Sequence, residues 1–75
     1  MPKISKSDME FIKKNLPKDL QDKIFQAQTV NDILRVLNFW INRNPDCWEA
    51  NGEDYNDLGR ATQRVYDNIY LYGED

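Results

Sequence analysis

Two pairs of carboxylates are the residues whose type and spacing come closest to acid–base chemistry: Asp46 with Glu49, and Asp54 with Asp57. One member of such a pair can act as acid and the other as base when the two are buried unequally. The chain contains no histidine, so the one side chain that titrates near neutrality unaided is missing. Both pairs lie at predicted helix starts, where carboxylates cap helices and complement their dipoles. We therefore expect capping rather than catalysis, and a protein that is not an enzyme.

Metal binding is the second chemistry to consider, because the segment DCWEANGEDYND is acidic and contains a glycine. Aligning Gly52 with the glycine of a helix-loop-helix calcium loop puts Cys47 at the first ligand position. Leu58 then falls at the twelfth position, where the motif requires a bidentate glutamate. One cysteine without histidine cannot form a structural zinc site either. The sequence predicts no metal site and no cofactor, and Cys47 is interpreted as a small half-buried residue near a turn.

A polar stripe on the predicted central helix raises the alternative of nucleic-acid recognition. Asn31, Arg35 and Asn38 share one face of that helix, and asparagine and arginine are suitable readers of base edges. All six lysines lie between Lys3 and Lys23, so the first part of the chain is basic. The formal net charge of −3 opposes phosphate contact. A nucleic-acid-binding regulator that uses the lysine-rich N-terminal half or this stripe is therefore our second hypothesis, and we expect nucleic acid not to be the partner.

Tyrosines bordered by carboxylates distinguish the C-terminal half of the chain. The predicted last helix places Tyr55, Tyr66 and Tyr70 on one side, with Asp67 near them. Protein interfaces favour this combination, and negative charge attracts basic partners. The opposing interpretation packs these rings at the edge of the core, with only their hydroxyl groups in water. We take Tyr55, Tyr66, Asp67 and Tyr70 as the predicted partner-binding residues, with an isologous dimer through the same stripe as one version of the contact.

Hydrophobic periodicity predicts an all-α fold that positions these residues. Within residues 30–42, apolar side chains recur at i, i+3, i+4, i+7 and i+11. Val36, Phe39 and Trp40 widen that face, so this helix should be covered on most sides, and Thr29 supplies its N-cap. We expect residues 1–75 to form one domain, a small bundle of three main helices plus a short helical turn, packed around this central apolar helix. The predicted elements are helices over 6–15, 18–27, 30–42 and 53–72, and the short turn over 45–50.

The predicted last helix carries four further expectations. Its core stripe runs to Tyr72, and Leu71 points almost opposite as an exposed apolar residue. Gly59 costs about 1 kcal/mol relative to alanine inside a helix, so another helix or the ring of Trp48 should approach closely there. Gly73 is the predicted stop signal.

Composition limits the class of protein. Values of 40% hydrophobic and 12% aromatic residues are typical of an ordered globular chain. The longest apolar run, residues 39–41, is far shorter than the roughly 20 residues that a membrane helix needs. The N-terminus lacks the apolar run of a signal peptide, and a single cysteine suits a reducing compartment. We therefore expect a cytoplasmic protein without a membrane contact.

Charge is distributed unequally along the chain. Residues 1–27 carry six lysines against four carboxylates, a balance of +2, and residues 28–75 carry four arginines against nine carboxylates, a balance of −5. Such an asymmetry bears on partners rather than on fold. Our leading hypothesis is a small acidic protein-binding or regulatory module, an inhibitor, immunity-type or adaptor factor of a bacterium or phage. It would bind another protein, with a basic surface, through its last helix.

Overall fold

The computed structural model describes residues 2–44, 47 and 55–75, and within them the chain is all-α, as the periodicity predicts. The four helices of this described part are α1 (Lys6–Asn15), α2 (Lys18–Phe25), α3 (Val30–Arg43) and α4 (Asp57–Tyr72). One isolated antiparallel bridge, between Lys3 and Glu74, joins the segments that flank the bundle. Of the short turn expected over 45–50, Cys47 alone falls inside the described residues.

Side-chain caps explain where three of the four helices begin. In α1, α3 and α4 the residue before the helix accepts a hydrogen bond from the backbone N–H three residues later. The caps are Ser5 Oγ at 3.2 Å, Thr29 Oγ1 at 3.2 Å and Asn56 Oδ1 at 2.9 Å. Such caps satisfy backbone donors that the helix itself leaves unpaired. The Thr29 cap is confirmed, and Asn56 sets the start of α4 four residues after the predicted position.

The core surrounds α3, which packs against both α2 and α4, while α1 packs against α4. Ile33, Leu34, Leu37, Trp40 and Ile41 of α3 are buried. The packing around a central apolar helix is therefore confirmed. The remaining buried apolar residues are Ile12, Leu16, Leu20, Ile24, Ala27, Cys47, Val65 and Ile69.

The covering of α3 is less complete than expected at its flanks. Trp40 is buried and Val36 is half-buried, but Phe39 is 49% exposed. The guanidinium carbon of Arg43 lies 4.6 Å from the centre of the Phe39 ring, so a cation rather than a neighbouring helix covers this face. The expectation for Phe39 is wrong because the contacts of α2 and α4 leave this part of the α3 circumference uncovered.

Two expectations about the end of α4 have opposite outcomes. Leu71 is exposed, as predicted. Tyr72 was expected in the core stripe but is 75% exposed, because Ile69 is the last buried residue of α4 and the core ends one turn before Tyr72. The helix does end before Gly73, whose N–H donates to the carbonyl of Ile69 at 2.8 Å. Gly73 has a φ of −65°, so it is not a left-handed cap. A Cβ atom there would instead lie 2.5 Å from the carbonyl oxygen of Ile69 and 3.2 Å from Cγ2 of Val30.

Gly59 lies at a close approach, as the sequence indicates. A Cβ atom added to Gly59 would collide with the carbonyl oxygen of Cys47 and lie 2.8 Å from the Cβ of Tyr55. The neighbour in this contact is therefore the backbone of Cys47, and Trp48 lies outside the described residues. Cys47 is fully buried rather than half-buried, because this contact and the N–H of Asn56, which donates to the same carbonyl at 2.9 Å, enclose it.

Candidate functional site

A shallow groove between α3 and α4 brings together residues of the two competing sequence hypotheses. The groove has a volume of about 350 Å³. It is lined by Asn31, Leu34, Arg35, Asn38, Tyr66 and Tyr70. The polar stripe of α3 and two of the predicted tyrosines therefore form the two walls of one surface, which we call the α3–α4 groove. The spacing of residues along each helix predicts which side chains share a wall. It does not predict that the two walls lie next to each other.

The two tyrosines of the α3–α4 groove differ in burial. Tyr66 is half-buried and packs against the core, so the core-edge interpretation describes it. Tyr70, one turn later, is 68% exposed. A residue four positions along a helix lies on nearly the same face, so the difference arises from the end of the core rather than from direction. Of the two rings, Tyr70 offers more apolar surface to a partner.

The charge in the α3–α4 groove is small. Arg35 contacts Asp32 at 3.8 Å, and both side chains are largely in water, so this ion pair stabilises the fold little. No lysine lines the groove. Asn38 accepts a hydrogen bond from the Asn42 side chain at 3.2 Å, which occupies part of its polar capacity. The groove is therefore polar and aromatic rather than basic.

The other two predicted site residues lie elsewhere. Tyr55 precedes α4 instead of lying on it, and its half-buried ring packs beside Gly59. The prediction that Tyr55 shares one side of the helix with Tyr66 and Tyr70 is wrong, because the cap at Asn56 starts the helix after Tyr55. Asp67 is exposed on a different face of α4, toward α1, where it accepts a hydrogen bond from the Gln63 side chain at 3.0 Å.

The seam between α1 and α4 contains a buried carboxylate in the first turn of α1, a position where the helix dipole alone would explain an aspartate. Asp8 is 6% exposed, and its Oδ2 accepts a hydrogen bond from Asn68 Nδ2 at 2.7 Å. Two clefts of about 290 and 410 Å³ flank this bond, and both are lined by Asp8 and Asn68. The two residues are 60 positions apart in the sequence, and no local pattern signals their contact.

Three consecutive large side chains at the end of α4 are exposed. Tyr70, Leu71 and Tyr72 are 68%, 66% and 75% exposed, respectively. Consecutive helical residues point about 100° apart, so these three cover most of the helix circumference. We call them the α4 end surface. Tyr70 also borders the α3–α4 groove, and Leu71 and Tyr72 each border one cleft of the α1–α4 seam.

The carboxylates considered for catalysis form no site in the described part of the chain. Asp57 is exposed and pairs with Arg60 at 3.6 Å in the first turn of α4, whereas Asn56 provides the side-chain cap of this helix. Its proposed partner Asp54, and the pair Asp46 and Glu49, lie outside the described residues. Among residues 2–44, 47 and 55–75, no group of three potential metal-ligating side chains comes together. No helix among those residues is both long and apolar enough to cross a membrane.

No protein-family model, curated protein or solved structure matches this chain.

Proposed function

We propose that this chain is a protein-binding module that contacts its partner through the α4 end surface. The observation that supports this proposal is the exposure of Tyr70, Leu71 and Tyr72, because Phe39 is the only other exposed large apolar residue in the described part of the chain. Fully covering one such side chain contributes roughly 1.5–3 kcal/mol. Tyrosine is enriched at interfaces because its ring supplies contact area and its hydroxyl group stays hydrogen-bonded.

The directions of these three side chains indicate the shape of the contact. Because Tyr70, Leu71 and Tyr72 point about 100° apart, a flat surface pressed against one side of α4 would leave at least one of them in water. A partner that surrounds the end of the helix would cover all three. The exposed carboxylates Asp67 and Glu74 border this end, so a partner with basic residues around an apolar cavity fits best.

A comparison of three forms of the full chain tests the proposal. Native lysate would be passed over the wild-type chain, a Y70A/L71A variant and an F39A variant, and bound proteins would be quantified by mass spectrometry. F39A is the control, because Phe39 is also a large exposed apolar residue but lies on α3, outside the α4 end surface. We expect Y70A/L71A to lose at least tenfold of the specific partner and F39A to retain it, with both variants melting near the wild-type temperature.

Two outcomes would contradict the proposal. Equal recovery by Y70A/L71A and wild type would show that the α4 end surface is not the contact. A large fall in the melting temperature of Y70A/L71A would show that these side chains stabilise the fold instead. Sedimentation equilibrium of the wild-type chain alone identifies the case in which the partner is a second copy of the chain.

Single-stranded nucleic acid is the second candidate partner, and one observation favours it. The α3–α4 groove places Tyr66 and Tyr70 opposite Asn31, Arg35 and Asn38, and aromatic rings beside such side chains stack on and hydrogen-bond to unpaired bases. The single cation of the groove and the net charge of −3 oppose this function. A gel shift with single-stranded oligonucleotides at low and moderate salt distinguishes nucleic-acid binding from the protein-binding proposal. Binding that weakens steeply with salt and is lost in R35A would replace the protein-binding proposal.

A further inference from the structure

The carboxylate of Asp8 lies outside both the α4 end surface and the α3–α4 groove. Its Oδ2 is bonded to Asn68, but its Oδ1 accepts no hydrogen bond from any residue that the structure describes. Every fully enclosed side-chain oxygen and nitrogen in the described part has a partner. Oδ1 of Asp8 is therefore not fully enclosed, and Asp8 lines both clefts.

The carboxylate of Asp8 lies at the positive end of a helix but forms no ion pair with any residue that the structure describes. Asp8 lies in the first turn of α1, where the helix dipole stabilises an anion. No ion pair among the described residues includes Asp8. A buried carboxylate is stabilised when a cation and further hydrogen bonds complete its coordination. Oδ1 of Asp8 can therefore accept a hydrogen bond from a donor that enters either cleft.

The walls and rims of the two clefts narrow the chemistry of that donor. Apolar side chains form much of the walls, and four charged side chains stand around them. The acidic ones are Asp67 and Glu74, and the basic ones are Lys3 and Arg64. All four of these charged side chains are exposed. Asp8, by contrast, is buried and lines both clefts. A ligand that enters the seam therefore meets a negative charge at its base and apolar surface beside it.

We infer that Asp8 binds a cationic side chain of the protein partner, an arginine or a lysine, inserted into the α1–α4 seam. This inference deepens the proposed function and rests on it, because Leu71 and Tyr72 of the α4 end surface also border the seam. Arginine suits the site better than lysine, since guanidinium is less strongly hydrated and its alkyl stem packs on apolar walls. A cationic side chain bound to Asp8 fixes where the basic residues of the partner contact this chain.

Nuclear magnetic resonance of the full-length, 15N-labelled chain tests this inference with defined probes. The probes are acetyl-Leu-Arg-Leu-amide, its lysine counterpart and its citrulline counterpart, which keeps the shape of arginine without the charge. The reporter is the side-chain amide of Asn68, which donates to Asp8 at 2.7 Å. We expect saturable shifts of this signal with the arginine peptide, weaker shifts with lysine, and at least about tenfold weaker binding of citrulline, as expected for a charged hydrogen bond.

Two variants separate a local effect from a general effect of charge. D8N keeps the shape of the side chain and should weaken the arginine peptide by about tenfold. D19N is the matched control, because Asp19 is an exposed carboxylate in the first turn of α2 and its replacement changes the net charge equally. We expect D19N to bind as the wild type does. If D8N fails to fold, the arginine and citrulline peptides on the wild-type chain still give the answer.

Three results would overturn the inference: equal binding of the arginine and citrulline peptides, shifts confined to residues away from Asn68, or equal weakening by D8N and D19N. These failures are distinct from failure of the proposed function. A chain that ignores the arginine peptide but loses its partner in Y70A/L71A keeps the α4 end surface as its contact and loses only the anchor at Asp8.

Discussion

Replacing Gly59 by alanine should destabilise this fold, although the same change inside a helix ordinarily stabilises it. In a helix free of contacts, alanine is favoured over glycine by about 0.8–1.0 kcal/mol. At Gly59 the new Cβ atom would overlap the carbonyl oxygen of Cys47 and lie 2.8 Å from the Cβ of Tyr55. Neither atom can rotate away, because one belongs to the backbone and the other is fixed by it.

The size of the destabilisation by G59A depends on the atoms that the new Cβ atom displaces. The Cys47 carbonyl accepts a hydrogen bond from the N–H of Asn56 at 2.9 Å, and Cys47 is fully buried. Weakening one such bond costs about 0.5–1.5 kcal/mol, and overpacking costs about 1–3 kcal/mol. After the gain in helix propensity is subtracted, the free energy of unfolding should fall by about 1–3 kcal/mol. The expected total for 75 residues is only roughly 4–11 kcal/mol.

Urea unfolding followed by tryptophan fluorescence measures this change, with the slope of the transition compared as well as its midpoint. The matched controls are R64A and R64G, because Arg64 is exposed within the same helix. Alanine should be more stable than glycine there by about 1 kcal/mol. If G59A is as stable as the wild type while R64A is more stable than R64G, the backbone of Cys47 does not approach α4.

Three further predictions test the core, the site and a cap. Leu37→Ala, at 1% exposure, should lose about 2–5 kcal/mol in a urea transition, and a loss below about 1 kcal/mol would contradict the central position of α3. Tyr66→Ala should lose about 1–3 kcal/mol and Tyr70→Ala less than about 0.5 kcal/mol, so equal losses would contradict the difference in their burial. Thr29→Ala should lose about 0.5–2 kcal/mol and Thr29→Ser much less, and equal effects of both changes would contradict the hydroxyl cap.

The start of α3 was predictable because its determinants are local. The hydroxyl group of Thr29 and the apolar spacing behind it lie within one stretch of sequence, and the structure begins the helix at Val30. The start of α4 was not, although it too has a side-chain cap. The carboxylates Asp54 and Asp57 suggested a start near residue 53, but Asn56 provides the cap. Sequence alone does not decide which of several capping residues reaches the backbone.

Periodicity gives the direction of a side chain but not the length of the core. Tyr72 points along the same stripe as Val65, yet it is exposed because Ile69 ends the buried part of α4. The same limit explains Tyr70, which shares a face with half-buried Tyr66. How far the neighbouring helices extend along α4 is a tertiary property, and the spacing of residues within one helix contains no information on it.

The walls of the candidate sites also depend on tertiary contacts. The sequence indicated that Tyr66 and Tyr70 share a face and that something approaches Gly59. It did not indicate that α3 forms the other wall of the groove, nor that a backbone carbonyl causes the close approach. The Asp8–Asn68 contact lay beyond sequence reasoning altogether, because an aspartate in the first turn of a helix is already explained by the dipole.

Binding through the end of α4 can be distinguished by experiment from the binding surface that the sequence predicts. The two surfaces differ because the predicted one also includes Tyr55, near the start of α4. Asp57 and Tyr70 are 13 residues apart on the helix, about 20 Å along its axis. A partner that surrounds the end of α4 can reach Tyr70, Leu71 and the seam at Asp8 together, but not Tyr55. Loss of binding at the first three positions with none at Tyr55 would therefore identify the end of the helix. Loss at Tyr55 as well, without a change in stability, would require a partner that lies along the whole helix.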